Sequence, residues 1–357
     1  MREIGPGELR LLGRLIINPS LRQAGLAREL QISRSAVNQL WRNLVRNSNL
    51  SIRGALDYGK AGFQPVFGWA SSSRGSDVLT KFGHWLRSSR LVTSVFPSVM
   101  SSTFDSHIFF EAVLPLGHQS DWFYSQIDRF RKKPYSLTIY TSVCSKISHH
   151  MNLGLFDGST WSFPDNFRLE ASIGVASSYV DILPNVGTVE QSAPVPLSLD
   201  TLLVAAALED DYYTTAPKLK KFYSTLNLNP SSGRTLRRRI DEIRKDMVTP
   251  YVEIDNIGLT QKLLVCIRED TSKESAFSQV LHAQAGTFPK ARVLSGPSLT
   301  LLELDIPASV EWVTLSQVLS SLAGNASEIC TFIADLREER TRLKSVVSYL
   351  MSRTSSE

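Results

Sequence analysis

The chain has 357 residues, of which 42% are hydrophobic and 20% are charged, a composition typical of globular domains. Its 39 basic and 34 acidic residues give a net charge of +5, which permits a polyanionic partner without requiring one. No apolar run approaches the roughly 20 residues of a membrane helix, and the first residues lack the apolar core of a secretory signal. We therefore expect a cytoplasmic protein of two or more domains with no membrane partner.

Three cysteines, Cys144, Cys266 and Cys330, are far apart in the sequence and form no CxxC pair. This spacing excludes a disulfide framework and a standard zinc cluster. We expect three buried free thiols, and the sequence predicts neither a metal site nor a cofactor.

The spacing of apolar residues near the start predicts three helices and a short extended wing, over 8–17, 22–30, 34–46 and 51–56. Ser33 is a favourable N-cap for the third helix. That helix has a polar face opposite an apolar stripe made by Val37, Leu40, Trp41 and Leu44. The first two helices therefore hold a third one that presents polar side chains outward.

The most specific pattern is Leu26-Ala27-x-x-Leu30-x-Ile32-Ser33-x-Ser35-x-Val37-x-x-x-Trp41-x-x-Leu44. It resembles the helix-turn-helix of the Lrp/AsnC (feast/famine) transcriptional regulators, and winged helix-turn-helix proteins broadly. The resemblance implies double-stranded DNA as the partner, with the third helix in the major groove. It also implies that a ferredoxin-like sandwich follows, which serves dimerisation and often small-ligand sensing. The family's Gly-x-x-Asp sequence is intact in neither half of the chain, so no ligand residues are assigned.

The polar face of the third helix supplies the first candidate DNA contacts. Arginine can bond guanine, and asparagine or glutamine can bond adenine, in the major groove. Residues 1–60 hold ten basic and four acidic side chains, so phosphate contacts are expected here. The candidates in this bundle are Ser33, Arg34, Ser35, Asn38, Gln39, Arg42, Arg46 and Arg53.

After the wing, the pattern changes to alternating strands and helices. The order over 61–147 is β-α-β-β-α-β, the ferredoxin-like arrangement, and its last strand is predicted over 135–147. Residues 148–196 are rich in turn formers, and we interpret them as an appendage with a strand over 167–175, followed by a linker.

The second half of the sequence repeats the first after roughly 200 residues, which indicates a duplication. The segment LDYGKAGFQPVFGWA at 56–70 resembles EIDNIGLTQKLLVCI at 253–267. A second, divergent bundle precedes a second β-α-β-β-α-β run, in which a helix is predicted over 315–322, and a last helix is predicted over 336–351. The second bundle adds the candidate DNA contacts Ser232, Arg234, Arg237 and Arg238.

Motifs of common enzymes are absent: the sequence has no P-loop, no GxGxxG after a strand, no HExxH and no GxSxG. The adjacent pair His149-His150 falls in a turn-rich stretch, where exposed loop histidines are expected. We therefore predict that the chain is not an enzyme and has no catalytic residues. Some proteins with this layout are enzymes of haem-precursor decarboxylation, and the fold alone leaves that chemistry open.

The predicted fold class is α+β, with two winged helix-turn-helix domains alternating with two ferredoxin-like sandwiches. The predicted units are 1–60, 61–147, 148–196, 197–258, 259–335 and 336–357. We predict a sequence-specific DNA-binding transcriptional regulator that acts as a covalent pseudo-dimer. A small-molecule effector and self-association, through the sandwiches or the last helix, are left open. The alternative is a ligand-binding or scaffold protein, or a haem-precursor-processing enzyme, on the same fold without a role at DNA.

Overall fold

The computed structural model describes residues 3–72, 76–101, 105–163, 167, 188–190, 198–268, 274–310, 328–335 and 340–354. These ranges contain ten α-helices: α1 Pro6–Ile17, α2 Gln23–Leu30, α3 Arg34–Ser48, α4 Ser76–Ser88, α5 His118–Arg131, α6 Leu199–Asp210, α7 Ala216–Thr225, α8 Gly233–Met247, α9 Glu274–Gln284 and α10 Leu343–Thr354. They also contain twelve strands: β1 Ser51–Leu56, β2 Phe63–Ser72, β3 Val92–Ser101, β4 Ser106–Pro115, β5 Thr138–Val143, β6 Lys146–Met151, β7 Thr188–Glu190, β8 Val248–Glu253, β9 Leu259–Arg268, β10 Lys290–Ser295, β11 Leu299–Pro307 and β12 Glu328–Ala334. The predicted mixture of helices and antiparallel sheet is confirmed, and the division into domains stays a prediction.

The third helix of each bundle begins at a serine, as its sequence predicts. Ser33 Oγ accepts the Ala36 N–H at 3.1 Å at the start of α3, and Ser232 Oγ accepts the Thr235 N–H at 3.2 Å at the start of α8. An N-cap of this kind satisfies one of the backbone donors that the first turn leaves unpaired. In both bundles, a serine N-cap therefore fixes where the third helix starts.

One antiparallel sheet of ten strands runs through the molecule in the order β5-β2-β4-β3-β12-β9-β11-β10-β6-β7. Its first four strands form the first half of the sheet, and the next four form the second half in the equivalent order. The halves join where β3 pairs with β12, and β6 adds to the far edge of the second half beside β10. The duplication seen in the sequence is thus a duplication of sheet topology.

The strand predicted over 135–147 is two strands, which corrects that prediction. The Cys144 N–H donates to the Pro65 carbonyl of the first half, and the Ser145 N–H donates to the Ser295 carbonyl of the second half, both at 2.8 Å. The backbone changes partner between these two residues because β5 belongs to one half and β6 to the other. An extended sequence pattern does not reveal such a change of partner.

The two predicted wings pair with each other. β1 and β8 form an antiparallel ribbon in which Ser51 lies opposite Glu253 and Leu56 lies opposite Val248. A side chain at Gly54 would place its Cβ 2.4 Å from Val248 and 2.7 Å from the Leu208 carbonyl, so only glycine allows α6 to pack this closely on β1. The ribbon therefore links the two helical bundles.

Each bundle packs on the sheet of the other half. Helices α1 to α3 share a hydrophobic core with β9, β10 and β11, while α6 to α8 share one with β2 and β4. A third core lies between the two inner sheet faces, away from the helices, and contains Phe67, Phe109, Leu264, Leu301 and Phe332. This crossed packing ties the halves into one body by burial of apolar surface.

The last helix begins later than predicted, which is a second correction. Residues 340–342, here called the C-terminal strap, lie outside any helix or strand, and α10 starts at Leu343. The Thr341 N–H donates to the Thr93 carbonyl at 2.7 Å, and the Leu343 N–H donates to the Glu209 carboxylate at 2.7 Å. The apolar side of α10 is buried in the first core, so its apolar residues are used within this chain.

Some predictions fall outside the described residues: the helix over 315–322, the start of the last helix at 336–339, and the strand over 167–175 except Phe167. All three cysteines are buried free thiols, as predicted. None of the described helices combines the length and the apolar character needed to cross a bilayer.

Candidate functional site

A large cavity lies between the inner face of the second half and the ribbon of β1 and β8. Its volume is about 1090 Å³, at the upper end of the roughly 300–1,000 Å³ of ordinary ligand pockets. Its lining is strongly charged, with seven basic side chains: Arg53, Lys262, Lys290, Arg292, Arg340, Arg342 and Lys344. Five acidic side chains also line it: Asp210, Glu253, Asp255, Glu303 and Asp305.

Four charged residues form a compact quartet between the two halves: Glu111, Glu303, Arg292 and Arg340. Three of them line the large cavity, and Glu111 does not. Arg292 binds both oxygens of Glu111, at 2.8 and 2.6 Å, and reaches Glu303 at 3.3 Å. Arg340 contacts Glu111 at 2.9 Å and Glu303 at 2.8 Å. The strap, β4, β10 and β11 therefore meet at this charge cluster.

The quartet is ionised at neutral pH. Burial would raise the pKa of Glu111 and of Glu303, but the two guanidiniums outweigh it, so both carboxyl pKa values lie below their ordinary range. Lys262 also binds Glu303 and, at 2.5 Å, Asp305. Charges buried this deeply are stable only as a group, because removal of one partner leaves an uncompensated charge.

The other cations around the cavity are also held in place. Arg53 contacts Asp210 at 2.7 Å and Glu253 at 2.6 Å, while Arg342 contacts Glu253 at 2.9 Å. Lys290 contacts Asp305 at 3.0 Å. The cavity wall is therefore a preorganised network of ion pairs.

His149 and His150 lie in β6 and line the cavity, which corrects the expectation of exposed loop histidines. The His149 ring stacks on Tyr251 of the ribbon, with centroids 3.9 Å apart and planes 10° apart. Burial lowers the pKa of His149 well below its ordinary value, and the positive charges of Arg292 and Arg340 lower it further. His149 is therefore a neutral imidazole, with nitrogens that can donate or accept a hydrogen bond.

The corresponding region of the first half is nearly filled. The void there has a volume of about 50 Å³ and is lined by Tyr58, Glu209, Glu111 and the strap. Among the described residues, the quartet thus has a cavity large enough for a ligand on the side of the second half. On the side of the first half, the polar side chains are closely packed.

Six of the eight DNA-contact candidates in the first bundle are exposed at α3: Ser33, Arg34, Ser35, Gln39, Arg42 and Arg46. Asn38 is half-buried, and its Oδ1 is buried without a hydrogen-bond partner. Arg53 does not lie with them, because its guanidinium is held inside the cavity by Asp210 and Glu253.

The candidates of the second bundle are Ser232, Arg234, Arg237 and Arg238, and all four are exposed at the start of α8. Ser232 caps the helix, and Arg238 lies 3.4 Å from the Glu242 carboxylate. The candidates of the first bundle other than Arg53 therefore lie at α3, and those of the second bundle lie at α8.

The sequence-based predictions did not include the quartet. The missed signal is an acidic residue inside an apolar strand, Glu111 in IFFEAVL and Glu303 in LTLLELDI. The strand registers place Glu111 opposite Phe67 and Glu303 opposite Leu264, and those two residues are equivalent in the repeated segment. Within the part of the chain that the structure describes, no group of three or more His, Cys, Asp or Glu side chains is placed to hold a metal ion.

No protein-family profile matches the chain, and no curated protein sequence matches it. The structure is similar to that of siroheme decarboxylase NirDL, with a TM-score of 0.54 and 10% identity over 98% of this chain and 100% of that one. It is also similar to NirDL in complex with an iron-uroporphyrin III analogue, with a TM-score of 0.53 and 9% identity over 97% and 98% of the two chains. These likenesses support an Lrp/AsnC-like fold.

The prediction that the chain is not an enzyme is corrected by this comparison. Two solved structures that match it over nearly their whole length are those of an enzyme. The alternative of a haem-precursor-processing enzyme is therefore better supported than the regulator.

Proposed function

We propose that the chain is an enzyme that binds an acidic tetrapyrrole in the large cavity and removes carboxylate groups from it. One observation carries the proposal: a cavity of about 1090 Å³, lined by seven basic side chains and His149, in a chain with the fold of a siroheme decarboxylase. Tetrapyrroles of this class are large, flat and polyanionic, which suits a roomy cavity whose lining has seven basic against five acidic side chains.

The ion pairs around the cavity provide the means of binding. A carboxylate of the ligand exchanges with the protein carboxylate on Arg53, Arg342 or Lys290, so the cation is already held in position. Guanidinium groups bind carboxylates through two parallel hydrogen bonds, which also fixes the orientation of the ligand. Preorganised cations lose little side-chain entropy on binding.

Decarboxylation breaks the bond between a carbon and its carboxylate, releases CO₂, and forms a C–H bond with one proton. The protein therefore has to hold the remaining carboxylates and deliver that proton. His149 and Tyr251 are the uncharged groups suited to this step, since both line the cavity and stack on each other. Burial raises the pKa of Tyr251, so its hydroxyl keeps its proton at neutral pH.

The first test measures binding and turnover together. Titration with iron-uroporphyrin III, followed by absorbance, is expected to saturate at one ligand per chain, because the equivalent region of the first half is filled. Incubation with siroheme is expected to yield product lighter by CO₂, detected by mass spectrometry. An absence of binding, or binding without CO₂ loss, would contradict the proposal.

A matched pair of histidine variants tests the site. His149→Phe is expected to keep the stack on Tyr251 and to slow decarboxylation by about 100-fold or more, since it removes the imidazole nitrogens. His118→Phe, in the exposed first turn of α5, is the control and should be unchanged. Equal rates for His149→Phe and the wild type would place the proton donor elsewhere.

DNA binding is a second proposal, supported by the exposed polar side chains of α3. Arg34, Arg42 and Arg46 are exposed and form no ion pair with any described residue. In a mobility-shift series, Asn38→Ala or Arg42→Ala is expected to cost about 1–3 kcal/mol at preferred sites and less at random ones. Lys132→Ala, exposed after α5, is the control. No shift with any genomic fragment would end this proposal.

A further inference from the structure

Glu253 of β8 is shared by two guanidiniums in the wall of the large cavity. Arg53 of β1 donates to Glu253 Oε2 at 2.6 Å, and Arg342 Nη2 donates to both Glu253 oxygens, at 3.1 and 2.9 Å. All three residues line the cavity. Two guanidiniums that close on one carboxylate form a subsite suited to a carboxylate group.

Each guanidinium has a second partner that holds it in place without Glu253. Arg53 Nη1 donates to the Asp210 carboxylate at 2.7 Å. Arg342 Nη1 donates to the Tyr251 hydroxyl at 3.3 Å. The two cations therefore stay in position when the carboxylate between them is exchanged for another, so little side-chain entropy is lost.

Glu253 is also more accessible than the quartet acid that lines the same cavity. Its side chain is 27% exposed, whereas that of Glu303 is 5% exposed and is held by three cations. The Asp210 side chain is 45% exposed, but among the described residues it forms an ion pair only with Arg53. The place of Glu253 is therefore the accessible one at which a ligand carboxylate contacts two guanidiniums together.

The charges around Glu253 decide whether it carries a proton. Burial would raise its pKa, but Arg342, Arg53 and Lys290 outweigh burial, so its pKa lies below the ordinary value and the group is ionised in the free protein. Other titratable groups of the surrounding elements also line the cavity: Tyr251 and Asp255 at β8, Asp210 at α6, His149 at β6, Lys290 at β10 and Asp305 at β11.

We infer that a carboxylate of the ligand takes the place of Glu253 between Arg53 and Arg342, and that Glu253 binds a proton from solvent as it is displaced. The identity of the ligand rests on the proposed function. Once the ligand occupies both guanidiniums, burial and the ligand's negative charge both favour the neutral acid. The net charge of the cavity lining then rises from +2, given by seven basic and five acidic side chains, to +3.

Proton uptake makes binding weaker as the pH rises. In the free protein Glu253 is ionised above its lowered pKa, whereas in the complex it stays protonated up to a raised one. A buried carboxyl group without a cation can have a pKa of about 8–9, so this window includes neutral pH. Within the window, each unit of pH is expected to lower the affinity by about tenfold.

Titration calorimetry with iron-uroporphyrin III, in two buffers of different ionisation enthalpy at pH 7, counts the protons. We expect the wild type to take up about one proton per chain. Glu253→Gln mimics the neutral acid, so it should lose this uptake and bind about tenfold more tightly than the wild type, with less dependence on pH. Glu242→Gln, in an exposed pair with Arg238, is the matched control and should behave as the wild type.

His149→Phe distinguishes the carboxyl group from the buried imidazole, which a polyanion can also protonate. It should keep the uptake. Uptake that is lost in His149→Phe and kept in Glu253→Gln would overturn the inference, and so would binding to the wild type without proton uptake, a result that needs no variant. If neither the wild type nor Glu253→Gln binds iron-uroporphyrin III, the proposed function fails and this subsite fails with it, so the two failures are distinguishable.

Discussion

The two halves of the sheet share a topology but differ at one position beside the quartet. In the second half, Arg292 of β10 lies opposite Glu303 of β11; in the first half, Ser94 of β3 lies opposite Glu111 of β4. The small Ser94 leaves room for Arg340 of the strap, whose Nε donates to Ser94 Oγ at 3.0 Å. The Arg340 guanidinium therefore supplies the positive charge that β3 does not carry at Ser94.

The chain segment after each half explains why only one half is open. After β5 the chain forms β6 beside β10 and places His149 opposite Arg292. After β12 the strap runs beside β3 and brings Arg340 to Ser94. In the second half, the position beside Arg292 of β10 thus holds the His149 imidazole. In the first half, the equivalent position beside Ser94 of β3 holds the Arg340 guanidinium. The two halves of the sheet thus have equivalent inner surfaces. The segment after β5 leaves a cavity at the surface of the second half, and the strap after β12 fills the space at the surface of the first half.

The largest expected effect comes from breaking the quartet. Glu111→Gln leaves Arg292 and Arg340 with too little negative charge, and we expect a loss of about 3–5 kcal/mol in the free energy of unfolding. Glu303→Gln should cost at least as much, because Glu303 is 4% exposed against 8% for Glu111 and also binds Lys262.

Urea unfolding of both variants measures this difference. Glu242→Gln is the control, since its pair with Arg238 is exposed and should contribute within about 0.5 kcal/mol. A smaller loss for Glu303→Gln than for Glu111→Gln would show that water in the large cavity replaces the lost charge.

Much of the fold follows from local sequence pattern. The third helix of each bundle has amphipathic spacing and a serine cap, so its position could be predicted to within a few residues. The repeat of strand order followed from the similarity of two segments. The strap could not be predicted, because Arg340 and Thr341 have no periodic pattern of their own. Their position depends on hydrogen bonds to Thr93 and Ser94, more than 200 residues earlier in the sequence.

The candidate site depends on contacts between distant segments, which a single sequence does not reveal. His149-His150 follows a turn-rich pattern, and only the change of partner at Ser145 shows that β6 belongs to the second half. Arg53 belongs to a basic region, and only the ribbon with β8 brings it to Glu253. The acidic residues inside apolar strands were visible, but their arginine partners were not.

The next effect is a pH dependence that arises in the second half, at the buried His282 of α9. The folded pKa of His282 is about 3, against an ordinary value of 6.5, so between these values the unfolded chain binds a proton that the folded chain does not. Stability therefore falls as the pH is lowered below 6.5, by up to about 1.4 kcal/mol per pH unit for this group. Glu111 and Glu303, with lowered pKa values, add a loss only below about pH 4.5.

Urea unfolding between pH 7 and pH 4.5 isolates the histidine contribution. His282→Gln is expected to reduce the slope in this window, and His149 and His150, whose pKa values burial also lowers, keep the rest of it. His84→Gln, on the exposed side of α4, is the control. A slope that is the same in His282→Gln and the wild type would mean that His282 is solvated in the folded state.

The smallest effect compares one tyrosine hydroxyl on each side. Tyr58 donates to the Glu209 carboxylate in the closed region, and Glu209 in turn accepts the first N–H of α10. Tyr251 faces the cavity, and its hydroxyl lies 3.3 Å from Arg342. Both hydroxyls have a charged partner, but Tyr251 lines the cavity, where water can replace its hydroxyl. Tyr58→Phe is therefore expected to cost about 1.5–3 kcal/mol and Tyr251→Phe about 0.5–1.5 kcal/mol.

The two variants differ in what they leave behind. Tyr251→Phe keeps the stack on His149, and Arg342 keeps its pair with Glu253, so cavity water can replace the lost hydroxyl. Tyr58→Phe leaves the buried Glu209 with only the Leu343 N–H and the more distant Arg342. Chemical denaturation of both, beside the wild type, gives the comparison directly. A larger loss for Tyr251→Phe than for Tyr58→Phe would mean that the open side, and not the closed one, holds the strap in place.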